Sequence, residues 1–363
     1  MKLYKHQKLS IEKTVNQDFK SGIHCHATGA GKTITAGNIL VEYNKKYSNN
    51  VIWFTERKSI LIDTFVNENL RRYIPEIWDR FQIIEFAKNK PKDWVRIINR
   101  NYDKPVLLII NRAFLTYNKR YQQITKQFSL IIHDECHSSV ANETYNFLKY
   151  MKKSCNIIGF SATPIKKDTH NRNRLSEIYE DNIISLYNLR YCIKNNIILN
   201  PRFLVFSSDN EDFDRGNLNQ CIKLFKEVLN HSQYKKVIVY CRNIKICKLY
   251  SNFMYDNLND IKICVDTSEE NNDNRFIEYE EFKELESNGI IFCAMKHREG
   301  SDIKNLDTCI FLDGVRERSE LAFIQSMGRV LRKDKANQKK YGLIVDIYAS
   351  DFSNFYNKIY SYL

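Results

Sequence analysis

The chain is short of the residues that make spacers, staples and membrane spans. It has 11 glycines and 5 prolines in 363 residues, and no Gly/Ser-rich or Pro-rich stretch, so no flexible or polyproline linker is expected. Its ten cysteines include no C-x-x-C pair. That excludes zinc-ribbon and thioredoxin spacing and leaves reduced core thiols as the expectation. No segment approaches the ~18 uninterrupted apolar residues of a membrane span. The opening Met1-Lys2-Leu3-Tyr4-Lys5-His6 has no apolar signal core. Neither a secreted nor a membrane protein is expected; an intracellular one is, cytoplasmic or, for a viral chain, in the host cell or virion.

What is present is an ordinary globular composition, 43% hydrophobic and 27% charged, long enough for about two domains of ~150 residues. The net charge is +13, and it is unevenly spread. Residues 1–200 hold 32 basic and 18 acidic side chains, and the remainder 24 and 25. A basic half suits a polyanionic partner. Solubility or lineage bias leaves a similar trace, so motifs must decide.

Short β-branched runs alternate with charged helical stretches: Val51 to Phe54, Val106 to Ile110, Leu130 to Ile132, Ile157 to Phe160, then Val237 to Tyr240, Gly289 to Phe292 and Thr308 to Leu312. Such runs fit strands buried on both faces of a parallel sheet. The pattern occurs twice, which predicts an α/β fold with two lobes, 1–200 and 201–363. Between them, Ile165 to Pro201 reads as polar and then helical up to Asn200. The acidic stretch Ser268 to Glu286 reads as a solvated helix face.

His26-Ala27-Thr28-Gly29-Ala30-Gly31-Lys32-Thr33 lies between a short apolar stretch and an expected helix, Ile34 to Tyr43. Glycines let backbone N–H groups turn toward a β-phosphate, Lys32 supplies charge to the β/γ oxygens, and Thr33 can ligate Mg²⁺ at a helix N-terminus. His26 stands where the general pattern has its first glycine. Asp134 and Glu135 follow an apolar run, at the carboxyl end of a predicted strand, where open α/β sheets place ligands. Asp134 would hold Mg²⁺ through its water shell, and Glu135 would orient and deprotonate the attacking water. His133, Cys136 and His137 could instead be read as metal ligands. Adjacent residues on an extended segment point in alternate directions, which disfavours a tetrahedral site from these three.

Lys32-Thr33, Asp134-Glu135-Cys136-His137, Ser161-Ala162-Thr163-Pro164 and Gln325-Ser326-Met327-Gly328-Arg329-Val330-Leu331-Arg332 occur in that order. This set resembles the ordered motifs of superfamily 2 helicases and translocases, and the resemblance runs from about Leu3 to Asp346. It is nearest in form to restriction-endonuclease motor subunits and the helicases of phages and large DNA viruses, with Glu299-Gly300-Ser301-Asp302-Ile303 as a further shared segment. It differs from the D-E-A-D group in having His137 and in starting the last motif with Gln325. The resemblance implies two tandem RecA-like parallel-sheet domains with an ATP cleft between them, and ATP and Mg²⁺ as cofactors.

Roles carry over residue by residue. Gln7 resembles the glutamine that contacts adenine, although Tyr4 and His6 depart from the usual Arg and Tyr beside it. Ala27, Thr28, Gly29, Ala30, Gly31, Lys32 and Thr33 are the implied phosphate cradle, and Asp302 resembles the residue that contacts ribose. Arg329 and Arg332 resemble arginine fingers, three apart on one face if the segment is helical. Gln325 resembles the glutamine that places water or γ-phosphate. Ser161, Ala162 and Thr163 resemble the motif coupling hydrolysis to domain closure. Thr55, Arg57, Asn111, Arg112 and Arg242 sit just beyond strands, where the family binds a phosphate backbone.

The expected activity is therefore an ATP-dependent helicase or translocase, probing DNA in preference to RNA. Two alternatives stand beside it: a nucleic-acid-gated ATPase that clamps or remodels a protein complex, and the motor subunit of a restriction assembly whose nuclease is a separate protein partner. The chain ends at Leu363, shortly after the second lobe, so no nuclease or methyltransferase domain is expected within it.

Overall fold

The computed structural model describes residues 3–55, 64–65, 70–86, 92–116, 119–163, 168–207, 218–267, 272–294, 303–312, 320–334 and 338–348. The chain divides into two units, Met1–Asn188 and Leu189–Leu363.

In the first unit the order is α1 (Lys5–Asn16), β1 (Gly22–His26), α2 (Lys32–Tyr47), β2 (Val51–Thr55), α3 (Glu76–Arg80), β3 (Gln82–Glu85), α4 (Trp94–Asn99), β4 (Val106–Asn111), α5 (Arg112–Thr116), β5 (Leu130–Asp134), α6 (Asn142–Met151), β6 (Asn156–Ser161), α7 (Thr169–Tyr179) and β7 (Ile183–Tyr187). The sheet runs β3-β4-β2-β5-β6-β1-β7, parallel at every pairing. The apolar runs are continuous because alternate residues of each strand enter different cores. Val51, Trp53, Leu107, Ile109, Leu130 and Ile132 pack with Ile39 and Leu40 of α2. Ile52, Phe54, Leu108, Ile110 and Ile131 pack with Phe147 and Leu148 of α6.

The second unit comprises α8 (Leu189–Lys194), β8 (Asn200–Ser207), α9 (Leu218–His231), β9 (Lys236–Cys241), α10 (Ile244–Asn257), β10 (Lys262–Asp266), α11 (Asn272–Glu284), β11 (Gly289–Ala294), β12 (Thr308–Leu312), α12 (Glu320–Val330) and β13 (Tyr341–Tyr348). Its parallel sheet is ordered β10-β11-β9-β12-β13-β8. Phe225, Val237, Val239, Tyr250, Ile290, Phe292 and Val345 share its main core.

Every strand expected from an apolar run is a strand. The segment expected to be polar and then helical is different: it contains β7, an edge strand whose pairing with β1 shifts register between Ile23 and His24. Ile183 and Leu186 on this strand are exposed while Ile184, Ser185 and Tyr187 are buried. That broken alternation hides the strand from a periodicity reading. Helix α2 also extends beyond the expected Ile34 to Tyr43, from Lys32 to Tyr47. Of the acidic stretch, Glu278 accepts a hydrogen bond from the Val265 N–H at 2.7 Å, so that helix is tied to β10 and is not solely a solvated face.

Candidate active site

The registers align the candidate residues along the carboxyl edge of the first sheet. Thr55 pairs with Asn111 and with Asp134, Asp134 with Phe160, and Ser161, one residue further along β6, with Cys25 of β1. Strand β6 therefore separates the strand leading into the glycine loop from the strand bearing the carboxylates. Ser161 ends it between them.

Beyond His26 the chain must reverse into α2 within five residues. Gly29 and Gly31 accomplish this with φ of 87° and 80°, a region open to glycine at no steric cost. A Cβ on Gly31 would also run into the Gln7 amide. The Ala30 N–H donates to the Ala27 carbonyl at 3.1 Å. Two side chains of α1 hold the loop's carbonyls: His6 Nε2 lies 2.8 Å from the Ala30 oxygen, and Gln7 Nε2 donates to the Gly31 oxygen at 3.5 Å. The Ala27 N–H is taken by the Tyr187 carbonyl at 2.9 Å; with the Ala30 and Gly31 carbonyls drawn toward α1, the N–H groups of Thr28, Gly29 and Gly31 form the part of the loop suited to binding phosphate. Thr28, Gly29 and Thr33 are partly exposed, whereas Ala27 and Ala30 are buried.

His26, in place of a glycine, is accommodated by a buried polar network. Its Nε2 lies 2.7 Å from Ser185 Oγ and 3.2 Å from Ser10 Oγ. His24 bridges Ser185 and Thr14 at 2.7 and 2.9 Å. Burial pulls the His24 pKa down to about 3 and the His26 pKa to about 2, with the neighbouring imidazole and Lys32 adding to the latter shift. Both rings are neutral under the loop, and they tie α1 and β7 to its strand.

Lys32 opens α2 and is 8% exposed. Its Nζ lies 3.8 Å from Glu135 Oε1. Glu135 has left-handed backbone, φ 58°, an unfavourable state for a non-glycine residue that turns the carboxylate back over the sheet edge. Its other oxygen lies 3.3 Å from His137 Nδ1. The same nitrogen lies 3.3 Å from Ser161 Oγ, and that hydroxyl accepts the Thr163 N–H at 3.1 Å. His137 thus links the carboxylate to the serine of the third motif. Ala162 is joined to β1, its carbonyl accepting from the Cys25 thiol at 3.7 Å.

Asp134 is buried and accepts the Glu135 N–H at 3.1 Å. Burial, then the adjacent Glu135 charge, raises its pKa to about 7, against the opposing pull of Lys32. A buried carboxylate next to a second carboxylate offers the oxygen donors that a hard divalent cation takes. His133 points elsewhere: its Nδ1 lies 2.8 Å from the Tyr179 hydroxyl in the core, and Cys136 is fully buried.

The remaining candidates divide. Gln7 is buried, its Oε1 accepting the Tyr4 N–H at 2.9 Å, so it braces the loop as well as facing it. Asn111 caps α5, its Oδ1 accepting the Phe114 N–H at 3.0 Å. Asn243 does the same for α10, accepting from the Ile246 N–H at 2.9 Å. Arg112 and Arg242, beside these two caps, are exposed. Thr55 is buried, its hydroxyl meeting no partner among the described residues. In the second unit Gln325 and Arg329 lie four apart on α12, both 4% exposed. Arg329 is close enough to act electrostatically on Tyr240. Arg332 does not share their helical face, because α12 ends at Val330. The carbonyls that would follow are taken elsewhere, Leu331 by the Leu199 N–H at 2.9 Å and Arg332 by Lys339 Nζ at 3.0 Å. Arg57 and Asp302 lie outside the described residues. Sequence reasoning missed the His6 contact to the loop and the His137 link. The D-E-C-H tetrad, which put His137 two residues after Glu135, was the available signal for the second.

Among the described residues no helix is long and apolar enough to cross a membrane. Residues 1–166 match the family model for the type III restriction enzyme res subunit, and residues 218–334 match the helicase conserved C-terminal domain. A Saccharomyces cerevisiae relative described as "Putative ATP-dependent helicase IRC3" is 22% identical, over 84% of this chain and 45% of its own length. The ATP-dependent type ISP restriction-modification enzyme LlaBIII bound to DNA is similar in fold, with TM-score 0.71 and 16% identity over 97% of this chain and 28% of that one. S. cerevisiae Dbp5 bound to RNA and ADP BeF3 gives TM-score 0.69 and 14% identity over 99% and 86%. The chain thus spans under half the length of the curated relative it matches. Two family models in the order of the motifs, on two parallel-sheet α/β units, make this chain a member of the superfamily 2 helicases and translocases, of the kind that includes restriction-enzyme motors.

Proposed function

We propose that the chain hydrolyses ATP and couples the hydrolysis to movement along nucleic acid, DNA in preference to RNA. The observation that carries this reading is the charged row at the carboxyl edge of the first sheet: Lys32 within 3.8 Å of Glu135, and His137 joining Glu135 to Ser161. A lysine paired with one carboxylate at 3.8 Å can exchange it for another anion. When polyphosphate enters, Lys32 exchanges Glu135 for phosphate oxygens, and Glu135 is released to orient and accept a proton from the attacking water. Within Ala27 to Gly31, Thr28, Gly29 and Gly31 supply backbone N–H donors while Ala27 and Ala30 shape the loop through their own backbone hydrogen bonds, and Gln7 faces the base. Thr33 and Asp134 would hold Mg²⁺, which, when bound, neutralises charge on the β- and γ-oxygens.

Departure of Glu135 from His137 changes the partner set of Ser161, and that is the coupling step on this reading. Asp302 is proposed for ribose, and Gln325, Arg329 and Arg332 of the second unit for the γ-phosphate. Thr55, Arg57, Asn111, Arg112 and Arg242 are proposed to face the polymer backbone, Asn111 through its amide nitrogen, since its oxygen is the α5 cap. The basic surplus of residues 1–200 suits a nucleic-acid backbone of either kind, and the match to a restriction-enzyme subunit is the reason for preferring DNA.

The test is Mg-ATP hydrolysis with and without single-stranded DNA, duplex DNA and RNA, with Lys32→Ala as the blank. Stimulation of several-fold by DNA supports the reading; no hydrolysis above the blank with any polymer overturns it. A second reading, that the chain is the motor of a restriction assembly, is favoured by the res-subunit match over residues 1–166. Co-purification of a nuclease chain would support it.

A further inference from the structure

A lysine at the base of the second unit is buried where nothing in the family motifs asks for one. Lys339 is 4% exposed. Its ammonium donates to the Leu306 carbonyl at 2.6 Å and to the Arg332 carbonyl at 3.0 Å. The first lies in the turn that enters β12, and the second is two residues past the end of α12. One cation therefore joins the backbone before a central strand to the backbone that carries Arg332.

The anchor is itself anchored. Asp334 accepts the Lys339 N–H and the Gln338 N–H, each at 3.2 Å, and the Tyr234 hydroxyl at 2.5 Å. Asp307, beside Leu306, is buried and accepts from Ser232 Oγ and from the Tyr234 N–H at 2.8 Å. Burial is the largest influence on the ammonium and draws its pKa down to about 8, although Asp307 and Asp334 favour the charge. Burying an ammonium is unfavourable unless its hydrogen bonds are met. Here two are met by main-chain oxygens whose positions the contact then fixes. The Leu199 N–H holds the Leu331 carbonyl from the other side at 2.9 Å, so the Arg332 backbone is gripped at two successive residues while its side chain stays partly exposed.

We propose that Lys339 is a positioning residue for Arg332: it fixes the backbone from which that guanidinium acts, and so sets the rate of hydrolysis without touching nucleotide. The proposal rests on the reading of Arg332 as a hydrolytic arginine. Orientation of a catalytic group within about an ångström governs its contribution, so a loosened Arg332 backbone lowers kcat and leaves nucleotide binding by the first unit unchanged.

The experiment is a double-mutant cycle on the full chain with Lys339→Met and Arg332→Ala, reading kcat, the Kd for ATP and the melting temperature. The expected result is a fall in kcat of tenfold or more for Lys339→Met with Kd unchanged, and no further fall when Lys339→Met is added to Arg332→Ala. A kcat within twofold of wild type, or losses that multiply in the double variant, would overturn the proposal, since a purely structural lysine acts independently of Arg332. Wild-type turnover in Arg332→Ala would instead sink the underlying reading of that arginine. Should Lys339→Met not fold, Lys339→Gln, which keeps a donor but cannot span both carbonyls, carries the same comparison with the same expected fall.

Discussion

Replacing Asp134 by asparagine should make the first unit more stable while ending hydrolysis. Asp134 is 5% exposed, flanked by Glu135, and accepts one backbone hydrogen bond that an asparagine oxygen can equally accept. A rise from an ordinary 3.8 to about 7 corresponds to about 4 kcal/mol against the ionised form, at about 1.4 kcal/mol per pH unit. The unfolded chain releases this proton near pH 4, and the folded chain holds it until about pH 7. Between those values the folded state binds more protons, so stability falls as pH rises and the loss is complete above the folded pKa. Asparagine lacks this dependence. Its advantage over wild type should therefore widen by about 3 kcal/mol from pH 5 to pH 8, or about 6–12 °C in the melting transition of a unit this size. Thermal unfolding of both proteins at the two pH values, without nucleotide or divalent cation, reads the difference; the same comparison in a Glu135→Gln background removes the contribution of the neighbouring carboxylate, whose charge Asp134 feels. An Asp134→Asn protein no more stable than wild type at pH 8, or a gap that does not change with pH, would refute the reasoning.

Arg329→Ala should lower ATP turnover by roughly 10³-fold or more while polymer binding persists, checked by steady-state hydrolysis and a filter-binding titration. Gly31→Ala should cost about 1–3 kcal/mol of stability, because φ is 80° there and the new methyl meets Gln7; thermal melting and an ATP titration would register both the strain and the weaker binding. Arg112→Ala and Arg242→Ala should each reduce the slope of log affinity for DNA against log salt by about 1, and an unchanged slope for either would remove it from the backbone contacts.

The fold was legible in the sequence at seven strands inside the two sheets; β13, Tyr341–Tyr348, also lies inside its sheet between β12 and β8 but was not among the expected runs, its apolar stretch being broken by Asp346. Val51 to Phe54 and Val237 to Tyr240 are apolar throughout because both faces are covered, and no polar partner interrupts them. Edge strands were not legible: β7 carries Ser185 inward toward the histidines and Leu186 outward, against any simple period. The site was legible in its phosphate loop and its paired carboxylates, since glycine at positive φ and adjacent acids leave local traces. What lay hidden depends on distant partners. Asn111 resembles a polymer contact in sequence, yet its oxygen closes a helix three residues on. Arg332 looks helical from its spacing to Arg329, yet Lys339 and Leu199 draw the main chain away. His26 looks like a defect in the glycine pattern, and the serines that accommodate it come from residues 10 and 185.

The most direct test of the central claim, that hydrolysis drives movement, is ATP-dependent displacement of a third strand from a DNA triplex by the wild-type chain. The account predicts displacement with Mg-ATP that is absent in Lys32→Ala and in Arg329→Ala. Hydrolysis stimulated by the same DNA without any displacement would contradict it, and would assign the chain to ATPases that grip nucleic acid without travelling along it.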